Sequence, residues 1–285
     1  MPPTITSLLE QSSELLTTAG VESPFVEARQ ILQCVFTCNW AQLILRGNEQ
    51  ASEAQVRAVR LLVEKRINHI PLAYLTGERE FWGLNFVVST AVLIPRPETE
   101  FVLEQVFKQV ASTRIRRALD LGTGSGILAI ILALELGCEV RAVDISPEAL
   151  GVAAVNAKRH RVEKLVSFIH GDLFAPVQEE RFDLLVSNPP YIRQGDIATL
   201  DAEVRLHEPN LALSGGPDGL EIIGRIAEQA GKFLNPGAWL FVEIGAAQED
   251  DVYRLFRGAR YAYRHIEVLP DWSDRPRLLK ACMPS

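Results

Sequence analysis

The chain is short of positive charge: 29 lysines and arginines against 36 aspartates and glutamates leave a formal net charge of −7. A protein that lives on nucleic acid normally carries a basic stripe. Here the cations are scattered, and the one dense run, Arg114-Ile115-Arg116-Arg117, directly precedes an apolar, strand-like segment. Direct binding of nucleic acid is therefore not expected. Cysteine is scarce too. Cys34 and Cys38 lie four apart on a predicted helix without the His or Cys partners of a zinc site, and Cys138 and Cys282 stand alone. No metal is expected, and the thiols read as reduced side chains in or near the core. There is no N-terminal signal pattern and no apolar run long enough to span a bilayer. No internal repeat or low-complexity segment is visible. The expected product is a soluble cytoplasmic protein, with no membrane partner.

What is present is ordinary globular material: 47% hydrophobic and 23% charged residues over 285 positions, enough for a catalytic domain carrying a smaller one. Residues 1–75 read as helices only. Ser7 with Glu10 has the pattern of a capping box, Ser23-Pro24 that of an N-cap followed by proline at the first helical position, and Ser52 with Gln55 that of a second capping box. The helix after Ser52 carries Val56, Val59, Leu62, Val63 and Ile67 at helical spacing, and Pro71 is expected to end it. Residues 76–95 read as a linker in which Phe81 to Val88 forms a hairpin turning at Gly83. Residues 96–285 are the main domain. A helix is expected from Thr99 to Val110, then strands near 118–121, 140–145, 166–169, 182–187, 238–244 and 265–269. Helices separate them at 127–136, after Ser146-Pro147, at 218–234 and at 247–257. Strands alternating with helices mean a doubly wound, mostly parallel α/β sheet.

Asp120-Leu121-Gly122-Thr123-Gly124-Ser125-Gly126 lies where the first of these strands meets its helix. Glycines there let backbone turn sharply and approach a ligand at the carboxyl edge of the sheet. Such a loop alone serves nicotinamide dinucleotides and S-adenosylmethionine alike. The spacing lacks the third glycine placement of the dinucleotide fingerprint, and no Lys-Ser/Thr pair of a phosphate loop follows. Asp144 ends the second strand, where a carboxylate can accept from ribose hydroxyls, and Asp172, followed by Leu173, ends the third, within reach of an adenine amino group.

Asn188-Pro189-Pro190-Tyr191 follows the fourth strand. Asn188 offers a side-chain oxygen and Pro189 a backbone carbonyl, two acceptors for the N–H groups of one planar NH2. The prolines stiffen the loop without donating, and Tyr191 gives a flat wall. By itself the tetrapeptide does not choose between an adenine amino group and a glutamine amide, and Asn-Pro also marks plain turns.

Acidic residues at three successive strand ends around one glycine loop are similar to class I S-adenosylmethionine methyltransferases, in which the first of them, here Asp120, lies by the methionine end of the cofactor. Pro71-Leu72-Ala73-Tyr74-Leu75-Thr76-Gly77-Glu78, Ile94-Pro95-Arg96-Pro97-Glu98-Thr99-Glu100, Asn188-Pro189-Pro190-Tyr191-Ile192, His207-Glu208-Pro209-Asn210, Gly215-Gly216-Pro217-Asp218-Gly219 and Asp271–Arg277 together resemble the HemK family, the peptide-chain-release-factor glutamine methyltransferases. His207 departs from the tyrosine often found before Glu-Pro.

The resemblance implies a Rossmann-like, seven-stranded fold behind a helical bundle. It implies S-adenosylmethionine held by Asp120, Gly122, Thr123, Gly124, Ser125, Gly126, Asp144, Asp172, Leu173 and Asn188. Substrate would be bound by Arg96, Pro97, Glu98 and the Asn188–Tyr191 tetrapeptide, which is the catalytic element. The implied substrate is the glutamine amide of the Gly-Gly-Gln motif in bacterial class I release factors, and a monomer is expected. A ribosomal-protein glutamine methyltransferase, a nucleic-acid adenine methyltransferase and a non-catalytic binding module stay open as alternatives. Arg96 has a second reading, as an ion-pair partner of Glu98 or Glu100.

Overall fold

The computed structural model describes residues 2–285. These form two compact units, residues 2–78 with 201–207, and residues 79–200 with 208–285.

The first unit is helical: α1 (Ile5–Thr18), α2 (Pro24–Phe36), α3 (Trp40–Leu45), α4 (Glu53–Ile67) and α5 (Leu72–Thr76). Ser52 and Gln55 make the expected capping box, and Pro24 occupies the first helical position after Ser23. Three expectations are corrected. Thr4 rather than Ser7 caps α1, because Ile5 is already a buried helical residue. α2 stops before Cys38, with Thr37 in the left-handed region at φ 49°. α4 ends at Ile67, and Pro71 instead opens α5. Leu8, Leu16, Ile31, Leu32, Val59 and Val63 form the core of this unit, each fully buried side chain contributing roughly 1.5–3 kcal/mol. Arg66, only 6% exposed, is clamped by Glu27 and Glu203, both at 2.5 Å. Glu203 lies on a helix of residues 202–207 that the sequence pattern did not reveal and that was expected to belong to the main domain. A buried guanidinium needs its carboxylates close, and this tie draws the segment into the helical unit.

The second unit opens on the hairpin of β1 (Glu78–Phe81) and β2 (Leu84–Val87). Trp82 and Gly83 both have positive φ, 55° and 68°, the two-residue turn whose twist suits a hairpin. After α6 (Glu98–Val110) come β3 (Arg117–Leu121), α7 (Ile127–Leu136), β4 (Glu139–Asp144), α8 (Pro147–Arg159), β5 (Val166–His170) and β6 (Phe182–Ser187). The crossing helix of the first unit is α9 (Ala202–His207). Then follow α10 (Asn210–Leu213), α11 (Glu221–Phe233), β7 (Leu234–Glu243), α12 (Glu249–Gly258), β8 (Arg264–Pro270) and β9 (Pro276–Cys282). α10 was not anticipated, and β9 supplies the seventh strand that the resemblance implied but the sequence pattern did not place.

The seven-stranded sheet runs β5-β4-β3-β6-β7-β9-β8, parallel from β5 to β7, with β9 antiparallel to both neighbours. This is the class I methyltransferase architecture that the resemblance implied. Strand alternation sorts the side chains into two cores. Ala118, Val140, Ala142, Leu184 and Val186 share one with α6, α7 and α8. Leu119, Leu121, Val143, Leu185 and Leu240 share the other with α11 and α12. The chain goes from β3 to β4 and β5 on one side, then returns to place β6 on the other. Loops leaving β3 and β6 therefore diverge, and a crevice opens at their carboxyl ends.

Asn156 on α8 fixes this edge. Fully buried, it accepts from Val87 N at 2.7 Å and donates to the carbonyls of Val87 at 3.0 Å and Ser125 at 2.9 Å, joining β2 to the glycine loop. Asn156→Ala leaves the buried Ser125 carbonyl and the partly buried amide and carbonyl of Val87 without their partner, at about 1–3 kcal/mol for each group left unpaired. The variant is expected to lose about 3 kcal/mol or more in urea unfolding, whereas a loss below about 1 kcal/mol would show that water replaces the amide.

Candidate active site

At the crevice lies a cleft of about 1050 Å3, its solvent-open mouth included. Gly122 and Gly124, Asp144, Asp172 and Leu173, and Asn188, Pro189 and Pro190 line it together with Leu93 and Leu211, and Gly122 lies beside the Asn188 backbone, where its Cβ would stand 3.9 Å from the Asn188 carbonyl. The scattered sequence candidates thus divide. Gly122, Gly124, Asp144, Asp172, Leu173 and the Asn188–Pro190 segment meet at one surface. Asp120, Thr123, Ser125, Gly126, Arg96, Pro97, Glu98 and Tyr191 are not on the cleft wall.

The glycine loop explains part of that division. Gly122, Gly124 and Gly126 all sit at positive φ, 72°, 55° and 84°. At Gly124 a Cβ would meet nothing within 4 Å, so the residue keeps the wall open. At Gly126 a Cβ would lie 3.0 Å from the Ala153 Cβ, so this glycine serves helix packing beneath the wall. Asp120 alternates onto the same sheet face as Ala118. It is fully buried under the first turn of α7, accepting from Thr123 Oγ1 at 2.6 Å and Ala129 N at 3.2 Å, and so shapes the loop from behind. Its Oδ1 has no hydrogen-bond partner among the described residues, and burial pushes the carboxyl up to about 7. Asp144 accepts from Gly124 N at 2.8 Å and Ser146 N at 2.9 Å. A carboxylate has about four acceptor positions, so it retains capacity for hydroxyls in the cleft. Asp172, about half exposed, is ion-paired at 2.6 Å to Arg225, a wall residue that no sequence motif marked.

Arg96 does not pair with Glu98 or Glu100. Its guanidinium meets Glu208 at 2.5 Å, and the other Glu208 oxygen accepts from Ile94 N at 3.3 Å. Glu208 is 6% exposed, so the Glu-Pro motif anchors the Ile94–Arg96 strap. Glu100 caps the hairpin turn instead, accepting from Trp82 N at 2.7 Å.

The Asn188 loop is held on three sides. Ile192 exchanges backbone hydrogen bonds with Leu213 and Gly215, at 3.0 and 2.8 Å. A Cβ on Gly215 would stand 2.8 Å from the Pro190 carbonyl, hence the glycine. Gln248, which the sequence did not single out, donates to the carbonyls of Tyr191 and Gly219, both at 3.0 Å. Beneath the loop lies a second unforeseen feature. Asn188 Nδ2 donates to Thr99 Oγ1 at 3.2 Å, Thr99 Oγ1 donates to Glu243 Oε2 at 2.8 Å, and Tyr191 Oη donates to Glu243 Oε1 at 3.3 Å. Burial raises the Glu243 carboxyl to about 7 against the opposing pull of the Thr99 bond and Arg277. Burial likewise raises the Tyr191 hydroxyl. Arg277 is itself held by Asp271 at 3.1 Å. A glutamate inside the apolar run Leu240-Phe241-Val242-Glu243-Ile244 was the signal available in the sequence.

Residues 7–77 match the family model of the PrmC N-terminal domain, and residues 97–216 that of the methyltransferase small domain. The chain is 39% identical over 273 residues to the release factor glutamine methyltransferase of Geobacter sulfurreducens, across 95% of each chain. It is 39% identical over 279 residues to that of Moorella thermoacetica, across 98% of each. The chain belongs to the release factor glutamine methyltransferase family. A solved methyltransferase from Pyrococcus furiosus shares the fold, with a TM-score of 0.53 at 19% identity over 80% of this chain and 98% of that one.

This family is S-adenosylmethionine-dependent, and the cleft suits that cofactor. Open space stands where a Gly124 Cβ would be, Asp144 offers unused acceptor positions, and the apolar walls suit a nucleoside and thioether chain. Among the described residues no cluster of His, Cys, Asp and Glu side chains is placed to hold a metal ion, and no helix is long and apolar enough to cross a membrane.

Glu243 gives this site a pH signature. Unfolded, a glutamate ionises near 4.5; here it keeps its proton to about 7. The folded chain binds more protons within that window, so this residue's contribution to stability falls as pH rises through it. Glu243→Gln cannot ionise. Its melting temperature relative to wild type is expected to rise by several degrees between about pH 5 and about pH 8, and an unchanged difference would mean that the carboxyl is not desolvated.

Proposed function

We propose that this chain transfers the methyl group of S-adenosylmethionine to the side-chain amide nitrogen of the Gly-Gly-Gln glutamine in bacterial class I release factors. The observation that carries the reading is the Asn188 amide. Its NH2 is committed to the buried Thr99, which leaves Oδ1 free to accept, and both Asn188 and Pro189 line the cleft beside Gly122 and Gly124. Identity of 39% to a named release factor glutamine methyltransferase over nearly the whole chain supports the choice of substrate.

When bound, the cofactor supplies an electrophilic methyl group on a sulfonium. The residues must overcome a weak nucleophile, since the amide nitrogen's lone pair is conjugated with its carbonyl, as the peptide rotation barrier of about 18–20 kcal/mol shows. Asn188 Oδ1 and Pro189 O each accept one N–H of the substrate amide and hold its plane, so that out-of-plane density on nitrogen faces the glycine wall. Such alignment contributes up to about 7–11 kcal/mol. The prolines keep the acceptors rigid. After transfer, the N-methylated amide loses a proton to water, so the site needs no dedicated base.

Asp120, Gly122, Thr123, Gly124, Ser125, Gly126, Asp144, Asp172, Leu173 and Asn188 serve the cofactor, some by contact and some from beneath. Arg96, Pro97 and Glu98 shape the substrate side. The helical region, residues 1–75, docks the release factor away from the Gly-Gly-Gln loop, and residues 76–95 link it to the catalytic region, residues 96–285. The exposed apolar side chains Phe25, Ile44 and Leu45 support docking there. The enzyme acts as a cytoplasmic monomer without nucleic acid, in keeping with its net charge of −7.

Purified chain, release factor and methyl-labelled cofactor should place label on the Gly-Gly-Gln glutamine alone. Asn188→Ala should lower transfer by more than about 100-fold while S-adenosylhomocysteine binding, read by calorimetry, changes little. Label on ribosomal protein or RNA and not on the factor would overturn the substrate, and full activity in the variant would remove Asn188 from the chemistry.

A further inference from the structure

An asparagine amide can present either oxygen or NH2 to a ligand, and the two orientations have nearly the same shape. Only the oxygen accepts from a substrate NH2; the other orientation sets donor against donor. The neighbours of Asn188 must therefore decide the matter, and the deciding neighbour is a hydroxyl, which can donate or accept. Thr99 is 1% exposed on the first turn of α6 and touches Asn188 Nδ2 at 3.2 Å and Glu243 Oε2 at 2.8 Å. It has one proton to give.

We propose that Thr99 and Glu243 are positioning residues that lock the polarity of the Asn188 amide: ionised Glu243 can only accept, so it takes the Thr99 hydroxyl proton, Thr99 can then only accept from Asn188 Nδ2, and Oδ1 must face the substrate nitrogen. Tyr191 spends its own proton on the second Glu243 oxygen, so no competing donor remains at that end for Thr99 to receive. The charged and titratable groups facing Glu243 are Arg277 from β9, Glu98 from α6, and Tyr191. Arg277 favours the ionised carboxylate and Glu98 opposes it. Once protonated, Glu243 can donate to Thr99 Oγ1, the Thr99 proton is free to turn toward Asn188 Oδ1, and the amide can rotate with its NH2 toward the cleft. The carboxyl titrates near 7, so the lock loosens as pH falls through neutrality. No bond between heavy atoms changes in this step; one proton from solvent forms an O–H bond on the Glu243 carboxylate, and the hydrogen-bond directions reverse.

The inference rests on the proposed function, in which Asn188 Oδ1 accepts from the substrate, and the test separates the two. Thr99→Val keeps the side-chain shape but removes the hydroxyl, and Thr99→Ser keeps the hydroxyl. With intact chain and purified release factor, Thr99→Val is expected to lower kcat by about 100-fold, the cost of a misaligned reacting group. KM for the factor and calorimetric affinity for S-adenosylhomocysteine should each change by less than about 3-fold, the mark of an interaction made only in the transition state. Thr99→Ser should restore most of kcat. Wild-type kcat should decline as pH falls through about 7, and Glu243→Gln should be slow but lack that decline. A full kcat in Thr99→Val while Asn188→Ala is inactive would overturn the lock alone. Equal losses of kcat and S-adenosylhomocysteine affinity in Thr99→Val, or an acid decline retained in Glu243→Gln, would also overturn it. Full activity in Asn188→Ala would overturn the proposed function and the lock together.

Discussion

A carboxylate removed from water without a cation in hydrogen-bond contact has to be held by neutral donors, and two such carboxylates lie under the two loops that make this cleft. Asp120 accepts from the Thr123 hydroxyl and the Ala129 amide and so fixes the glycine loop from below. Glu243 accepts from the Thr99 and Tyr191 hydroxyls and so fixes the Asn188 loop. Neither acid is exposed to the cleft by more than a trace. Both act through the residues above them, which explains why a buried acid is tolerated near the carboxyl end of each strand in an otherwise apolar sheet.

The arrangement costs stability. Burial raises both carboxyls to about 7, and every tenfold gain in a carboxyl's hold on its proton means about 1.4 kcal/mol lost by the ionised form relative to the neutral one. A leucine at either position would remove that desolvation cost but leave Thr99, Tyr191 and Asn188, or Thr123 and Ala129, without the acceptor that orders them. Hydroxyl donors are the common choice at both sites, and a hydroxyl is the group that can pass on a direction as well as a bond. An arginine in hydrogen-bond contact would stabilise the charge more strongly, and Arg277 is instead held by Asp271, acting on Glu243 through the field.

What was legible in the sequence is what depends on neighbours a few positions away. The Ser52–Gln55 box, the turn of the β1–β2 hairpin, α7 with its unbroken apolar run, and β6 before Asn188 follow from local pattern and stand where expected. The glycine loop and the tetrapeptide were legible as motifs, and the resemblance they carried is borne out by the family comparison. What stayed hidden depends on distant partners. Thr99 and Glu243 are 144 positions apart, Arg96 and Glu208 are 112, and Arg66 and Glu203 are 137. Within its own segment Arg96 has two carboxylates nearby, and nothing local indicates that a buried glutamate beyond β6 outcompetes them. Strand direction hid the rest. Asp120 looks like a wall residue in the motif, yet alternation along β3 turns it toward α7 while Leu121 turns to the cleft.

The topology accounts for these long separations. Because the chain enters its sheet in the middle, at β3, the segment before β3 must arrive at the crevice from outside, and α6 delivers Thr99 there on its first turn. Because β6 is added on the other side of β3, with Leu121 level with Ser187, the Asn188 loop leaves the sheet beside the glycine loop. Because β7 lies next to β6, its last residue, Glu243, ends directly under that loop. A strand-end acid at β7 can therefore reach a residue that precedes the sheet altogether, with no connecting segment between them. The glycine wall of the crevice is written in one contiguous motif, since β3 and its helix are consecutive, and Asp144 and Asp172 join it from the next two strand ends. The Asn188 side draws on α6, β6, β7 and β9, and so has to be assembled by the fold from segments far apart in the chain.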